Sequence, residues 1–482
     1  MNQDLIAYAF QSAPFLLALA FGLLVPVGVV VAGLLAEKWG DSSKIAVMLG
    51  VLIIGNALGV ALSGRVIYSQ EEMALNPMLA TQNLDQGASG WGGRLTSLVI
   101  LFVSLGEIFR WTTGRRTMSS ISKQLWLSFL AFYVASYWVG AAFATSRDIQ
   151  LAWIYSPIAF TALALLAQTG WNKFTLLKLE WVLIGLLAAS LLGAALLPGM
   201  TVERGYKSWI PGFSFRLYGF SEHANSLGMI AALAVIFQLS PFVRTKPNWV
   251  FLAIAVTALL FTQSKTAWVI AAVGAFLVRS EDIRSKTLNN HAGQLSFFLV
   301  LIGCVVAALA ATGLMVVSNN GMLDRLLNFE EAVTFTGRTS IWQVSWDEFV
   351  NNPLFGYGPA IWDLTYRYEK NIMAAGQAHN QFFQTAGQAG LLGLLSLFWY
   401  LYLMGRNCTS DWRRTSGLAS VALVSLLIRC FTESPMRLGG LSGMDAFVHM
   451  LAFIFAASVT SLPVATHKLA ASRRSAMFKK PR

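Results

Sequence analysis

Lys265 is the residue whose setting most clearly suggests chemistry. It lies in the stretch FTQSKT, residues 261–266, a short polar break between two apolar runs. A helix beginning at Ser264 or Thr266 would place backbone N–H groups next to the ammonium, and such helix starts bind anions. The pattern therefore predicts an anion site at Lys265. The alternative is a lysine that carries its charge out of the apolar region at a helix end.

Arg338 is a second cation at a predicted helix start. Apolar residues follow it at helical spacing: Trp342, Trp346 and Phe349. Thr336 and Thr339 can cap this helix, which places Arg338 in its first turn. Because a helix N-terminus is already positive, a cation there is unfavourable unless it faces an anion. The alternative is a surface salt bridge to Asp347 or Glu331.

His379 is the candidate catalytic base, and Arg338 is the cation expected to act with it. His379 directly precedes a helical run that starts at Gln381. The unperturbed pKa of histidine, about 6.5, allows it to accept a proton near neutral pH. We expect Asn380, next to it in the chain, to bind substrate. The alternative for a lone histidine is a structural role.

Two further arginines are candidate substrate ligands. Arg216 lies in a polar loop that leads into a helix, with Ser221 as the expected N-cap. His223 in the same loop can simply pair with Glu222. Arg429 lies within an apolar run, and an ionisable group inside a membrane span marks a functional site by default. We therefore expect Arg216 and Arg429 to contribute to substrate binding.

The sequence predicts neither a metal site nor a cofactor. It contains no HExxH, CxxC or GxSxG motif and no Walker loop. Its cysteines, Cys304, Cys408 and Cys430, lie in or beside apolar runs without metal-ligand spacing. The acidic residues of the long polar stretch form no DxD-like cluster, so a metal-dependent mechanism has no support.

The elements that must position these residues are membrane helices. Of the 482 residues, 56% are hydrophobic and 12% are charged, and the mean hydropathy is +0.58. Soluble domains have about 25% charged residues. The chain is therefore expected to be an all-α polytopic membrane bundle of about 12 to 13 spans. The apolar runs lie near 14–36, 44–63, 95–112, 124–145, 150–168, 179–198, 222–240, 248–262, 266–279, 294–317, 389–405, 417–432 and 445–462.

Charges in the loops predict the orientation. Most Lys and Arg residues fall in alternate loops and in the C-terminal tail, which places these segments in the cytoplasm and explains the net charge of +12 without nucleic acid. The long polar stretch 318–388 then lies outside, and its aromatic residues suit either sugar stacking or an interfacial belt. The expected regions are N-terminal membrane helices (1–200), central membrane helices with outer anion-site loops (201–317), a large periplasmic catalytic loop (318–388), and C-terminal helices with a basic tail (389–482).

The order of five motifs between about 210 and 395 resembles the superfamily of O-antigen ligases and O-antigen or exopolysaccharide polymerases. The motifs are Arg216…Gly219…Asn225, Ser264-Lys265, Gly337-Arg338…Trp342, the stretch NPLFGYG at 352–358, and Ala378-His379-Asn380…Gly390-Leu391-Leu392-Gly393. The N-terminal half is similar only in being a bundle of spans.

The resemblance implies a metal-independent, inverting glycosyltransferase of the GT-C type in the bacterial inner membrane. Its donor would be an undecaprenyl-diphosphate-linked glycan at the periplasmic face. Lys265 and Arg338 would hold the diphosphate, Arg216 would assist, and His379 would take the proton of the acceptor hydroxyl. The acceptor would be a glycan or lipid A core. Membrane lipid is a further partner, and a chain-length regulator or export machinery is compatible with this reaction.

Two positions depart from the family pattern. The family often has arginine where this chain has Lys265, so a bidentate contact to the diphosphate is lost while a point charge remains. The family often has glutamate where Gln388 stands, shortly after the histidine. This substitution weakens the expectation that a carboxylate orients His379.

Several functions fit this pattern. A polymerase is favoured over a ligase by an additional outer loop at 64–94, which could shape a second glycan site. A lipid-linked oligosaccharide transporter would carry charges at mid-membrane depth, whereas the predicted spans are nearly free of charge apart from Arg429 and Glu107. A non-catalytic assembly factor is the remaining alternative, and it would tolerate loss of His379.

Overall fold

The computed structural model describes residues 38–69, 71–72, 91–147, 149–168, 172–206, 208, 210, 212–279, 338–370, 372, 375–410, 412–439, 441 and 443–458. The predicted spans at 14–36 and 294–317 and the basic tail lie outside these residues. The described residues form a helical bundle with one short antiparallel pair of strands.

The helices of the first half are α1 (Asp41–Leu62), α2 (Trp91–Thr112), α3 (Ser120–Tyr133), α4 (Gly140–Phe143), α5 (Tyr155–Leu166), α6 (Lys173–Leu196) and α7 (Pro198–Thr201). The strands β1 (Val202–Arg204) and β2 (Phe215–Leu217) follow. The remaining helices are α8 (Ala224–Leu239), α9 (Trp249–Thr262), α10 (Lys265–Arg279), α11 (Arg338–Asn351), α12 (Leu364–Glu369), α13 (Gln381–Ser410), α14 (Trp412–Thr415), α15 (Leu418–Thr432) and α16 (Gly443–Ala457). A π-helix, Val134–Val139, joins α3 to α4, and 3₁₀ turns lie at Leu151–Ile154 and Pro359–Trp362.

The predicted fold class is confirmed. Within the described ranges, five helical segments are long and apolar enough to cross a membrane, and five shorter apolar helices accompany them. The long segments are Asp41–Leu62, Gly92–Thr112, Ser120–Phe143, Lys173–Leu196 and Gln381–Ser410. The chain is an all-α, multi-pass membrane protein.

The charge predicted inside a span, Glu107, belongs to a buried ion network between α1 and α2. Its carboxylate lies 2.5 Å from the Lys44 ammonium and 3.1 Å from Arg116 Nε. Lys44 and Glu107 are completely buried, so each neutralises a partner that would be costly to leave unpaired. The network lies where α1 begins. At the other end of α1, Arg65 donates to the backbone carbonyls of Met200, Gly219 and Ser221.

The described part of the polar stretch folds into a small layer, the loop layer, with its own apolar core. Ile361, Trp362 and Tyr366 form this core together with Ala375 and Ala378. Helix α11 packs on α13, and the 3₁₀ turn lies against the same helix. The described part of the predicted loop is thus a compact element that rests on the bundle.

The NPLFGYG stretch joins this layer to α13 at a break in that helix. Gly390 has φ 60° and ψ −152°, a conformation that is essentially restricted to glycine. The carbonyl groups freed by the break accept hydrogen bonds from Tyr357 N (to Gly387 O, 2.8 Å) and Gly358 N (to Gln388 O, 3.0 Å). Gln388 Nε2 in turn donates to Ser136 O in the π-helix at 3.0 Å.

A side chain at Gly390 is expected to break this junction. A Cβ atom there would lie 2.5 Å from Leu354 C and 2.6 Å from Pro353 O, which are both backbone atoms. Gly390→Ala should therefore lower the melting temperature of the detergent-purified protein. The backbone conformation alone should reduce the free energy of unfolding by about 1–3 kcal/mol. Gly185→Ala in α6 is the matched control, because a Cβ there meets nothing within 4 Å. Equal melting temperatures for the two variants would contradict this packing.

Candidate functional site

The carboxylate of Glu433 lies at the centre of the site. It follows α15 directly, and its Oε2 atom is 2.7 Å from Nδ1 of His379. Gln377 Nε2 donates to the same oxygen at 2.9 Å, and Asn225 Nδ2 donates to Oε1 at 3.2 Å. Arg338 Nη2 lies 4.0 Å from Oε1. One buried anion therefore connects its own segment to three others that are distant in sequence.

The backbone holds His379 in a constrained position. Its φ is 50°, an uncommon conformation for a residue with a side chain. On one side Asn380 caps α13, accepting backbone hydrogen bonds at 2.9 and 3.2 Å. On the other side Ala378 accepts from Trp342 Nε1 (2.9 Å) and donates to Gln384 Oε1 (3.0 Å). Backbone strain of this kind concentrates at functional sites.

Arg338 begins α11, as predicted, and points towards the same carboxylate. Its Nη1 donates to Thr432 O at 2.9 Å. Asp347, considered as a partner from the sequence, instead accepts from Gln343 at 2.7 Å. The side chains of Arg338 and His379 are 25% and 27% exposed, whereas that of Glu433 is 9% exposed. The cation and the imidazole therefore remain accessible while the carboxylate behind them is covered.

Arg216 and Lys265 provide a second cationic wall. Arg216 Nε donates to Thr262 O at 2.9 Å, and its Nη2 donates to Asn225 Oδ1 at 2.7 Å. Its guanidinium lies 5.1 Å from the centre of the Tyr206 ring. Lys265 is the first residue of α10 and experiences electrostatic repulsion from Arg216. Two positive charges are thus held close together.

Four helices begin around this site. Asn225, Lys265, Arg338 and Gln381 stand at the starts of α8, α10, α11 and α13. The starts of α8 and α10 are brought together by Gly228, where a Cβ atom would lie only 2.8 Å from Ser264 Cβ. Each helix N-terminus adds a partial positive charge. Together with the cations they produce a positive field suited to an anion.

Glu433 is held in its ionised form. Burial raises its pKa, but the hydrogen bond and charge of His379 and the charges of Arg429 and Arg338 lower it, to about 2 overall. A carboxylate at neutral pH can only accept hydrogen bonds. When its imidazole is neutral, His379 can therefore donate to Glu433 only through its Nδ1–H group, which leaves the Nε2 atom as an acceptor.

His223 caps α8, and the predicted cap at Ser221 is wrong. His223 Nδ1 accepts from Asn225 N at 3.1 Å, whereas the Ser221 hydroxyl donates to the carbonyls of Tyr218 and His223. Burial lowers the pKa of His223 to about 3, with a further contribution from the charge of Arg216. His223 is therefore neutral and already used as a cap.

Arg429 acts on the site through its charge. Its guanidinium pairs with Asp445, with Nε 3.0 Å from Oδ1, and its charge acts on Glu433. The structure thus brings Arg338, His379 and Arg216 into the network around Glu433, with Lys265 beside Arg216. The charge of Arg429 stabilises the ionised form of that carboxylate. The Asn380 side chain is occupied by helix capping.

Glu433 is the residue that the sequence interpretation missed. It follows the apolar run 417–432 directly, so the predicted topology already placed it on the same face as the long loop. The family pattern predicts a carboxylate near His379 only in the helix after the histidine, where this chain has Gln388. In the structure Gln388 is buried against the π-helix, and the carboxylate comes from the end of α15 instead.

Part of the chain matches a known protein family. Residues 249–398 match the family model described as O-antigen ligase. The predicted resemblance to the O-antigen ligase and polymerase superfamily is thereby confirmed for this region. The match includes Lys265, Arg338 and His379, whereas Arg216 and Glu433 lie outside it. No curated protein matches the chain. The family supports ligase-type or polymerase-type activity on lipid-linked glycans in a membrane protein.

Glu222, which precedes α8, predicts a pH dependence of stability. Burial and then the charge of Asp445 raise its pKa to about 7, against the opposing charges of Arg65 and Arg429. Because the pKa of this carboxyl group is higher in the folded state, the folded protein loses stability as the pH rises from the unfolded pKa of 4.5 towards the folded pKa. Between about pH 5 and pH 8, the melting temperature of Glu222→Gln should therefore fall less than that of the wild type.

The exposed acid Glu369 provides the control for this measurement. Glu369→Gln should follow the wild-type pH profile of melting temperature. If Glu222→Gln also follows it, Glu222 does not change its protonation in this range.

Proposed function

We propose that this chain is a glycosyltransferase that acts at the periplasmic face of the bacterial inner membrane. It would move an undecaprenyl-diphosphate-linked glycan onto a hydroxyl acceptor and so polymerise O-antigen or exopolysaccharide repeat units. The observation that carries this proposal is the convergence of four helix N-termini and three cations around the His379–Glu433 pair. This arrangement combines an anion site with a base at one place.

The cations suit a diphosphate leaving group. Negative charge develops on the diphosphate as the bond from the anomeric carbon to its oxygen breaks. Lys265, Arg338 and Arg216 would stabilise that charge, and charges fixed in advance are the most effective means of lowering such a barrier. In this proposal the cations and helix N-termini perform the role that a divalent metal has in other transferases, so the reaction is metal-independent.

His379 suits the role of general base. With Glu433 accepting from Nδ1, the Nε2 atom would take the proton of the acceptor hydroxyl as its oxygen bonds to the anomeric carbon. The diphosphate leaves from the opposite side, which inverts the anomeric configuration. Glu433 then stabilises the imidazolium that forms. In this scheme Glu433 positions and supports the base without touching substrate.

The choice of polymerase rests on the segment that follows α1. Arg65 fixes the start of the 64–94 loop to the carbonyls of the loop that leads into α8. This attachment supports a second glycan site next to the first one, as a polymerase needs for a lipid-linked acceptor. A ligase, with lipid A core as acceptor, is the second candidate, because the matching family model describes O-antigen ligase.

Replacement of the two central residues tests the proposal in cells that lack the native protein. His379→Ala should reduce transfer by roughly 10²–10⁴-fold through loss of the base. Arg338→Ala should also abolish product. Arg147→Ala, an exposed arginine in the turn after α4, is the control and should behave as wild type. Polysaccharide is followed on gels after each variant has been shown to reach the membrane.

The gel pattern separates the alternatives. Single repeats on the usual acceptor indicate a polymerase, whereas intact polymer retained on the lipid carrier indicates a ligase. Normal product from both His379→Ala and Arg338→Ala would reject a transferase centred here and would favour a transporter or an assembly factor.

A further inference from the structure

The exposed half of α11 is divided into an apolar edge and a polar edge. Ile341 and Val344 face the apolar core of the loop layer. On the open side, Trp346 and Val350 are 49% and 56% exposed, and Phe349 lies beside Trp346 with 5.3 Å between the ring centres. The remaining exposed positions are polar: Ser340, Gln343, Asp347 and Asn351. At 100° per residue these polar positions form one continuous strip beside the apolar edge.

The apolar edge continues onto a membrane helix. Leu354, three residues beyond α11, is 56% exposed. The backbone there is bonded to α13: Leu391 N donates to Pro353 O at 2.7 Å, and Leu392 N donates to Leu354 O at 3.3 Å. From that point exposed apolar side chains run along α13: Leu391, Leu392, Leu395, Phe398, Trp399 and Tyr402. Helix α13 is one of those long and apolar enough to cross a membrane.

We propose that α11 lies in the surface of the bilayer, with Trp346, Phe349, Val350 and Leu354 in contact with lipid. A continuous apolar surface that begins on a lipid-facing helix must be covered by the same medium where it extends onto α11. The polar strip at Ser340, Gln343, Asp347 and Asn351 then faces water. An amphipathic helix with tryptophan at its boundary is typical of the membrane interface.

This seating has a consequence for Arg338. It is the first residue of the same helix, so α11 fixes its depth relative to the lipid headgroups. Phosphate groups of any membrane lipid lie at that depth. The inference rests on the surface of α11 and α13 alone, and it holds whether or not the proposed reaction is correct.

Spin labels on full-length protein in phospholipid vesicles test the proposal. The native cysteines Cys304, Cys408 and Cys430 are first replaced by alanine, and product formation in cells is confirmed. Labels are then placed by Trp346→Cys and Val350→Cys. Leu395→Cys on α13 is the lipid-facing reference, and Gln343→Cys on the polar strip is the water-facing reference.

For each label, the accessibility to oxygen is compared with the accessibility to a water-soluble nickel complex. This ratio should be severalfold higher at positions 346 and 350 than at position 343, and it should resemble the ratio at position 395. Nickel accessibility equal to that at position 343 would overturn the proposal. Protection from both reagents, with a spin–spin distance that disappears on dilution with unlabelled protein, would show a second copy on this surface and would also overturn it.

A second measurement leaves the cysteines in place. Benzoylphenylalanine at position 346 in the otherwise native chain is irradiated in vesicles, and the adduct is identified by mass. A phospholipid adduct supports the proposal. A crosslink to another copy, or no lipid adduct where the same group at position 395 gives one, rejects it.

Discussion

The arrangement depends on one buried negative charge. A carboxylate removed from water is costly unless charges and hydrogen bonds compensate it. Glu433 receives this compensation from His379, Gln377 and Asn225, with Arg338 at 4.0 Å. Conversely, the nearby cations would repel one another more strongly without this negative charge. The carboxylate therefore fixes the base and the cations together, and the positive charge in excess is available for an anionic substrate.

The loop layer must be pressed against the bundle for this network to form. Arg338 can reach Glu433 only because α11 packs on α13, and that packing requires the NPLFGYG stretch to pass through the break at Gly390. The Trp342 indole adds a direct link from α11 to the backbone before His379. Gly356 and Gly390 thus affect the site indirectly, because they allow the backbones of the NPLFGYG stretch and of α13 to approach each other closely.

Much of this could be predicted from local patterns. Apolar runs gave the helices, because a membrane span leaves a continuous signal; the polar break before Lys265 and the start of α11 at Arg338 also follow from neighbouring residues. Contacts between distant segments could not be derived in this way. Glu433 meets His379 across 54 residues and Asn225 across 208 residues, and no periodicity records such a pairing. The sequence pattern pointed to Ser221 because serine is the commoner helix cap. In the structure the His223 imidazole accepts the capping hydrogen bond instead.

The most direct test is the rate of glycan transfer by purified Glu433→Gln in vesicles containing a lipid-linked diphosphate glycan. The substitution keeps the size of the side chain and removes its charge. If the carboxylate holds the base and the cations in place, the rate should fall by about 10²-fold or more while the variant stays folded. Glu369→Gln, an exposed acid of the same loop layer, should retain the wild-type rate. An unchanged rate in a folded Glu433→Gln protein would contradict the central role assigned to this carboxylate.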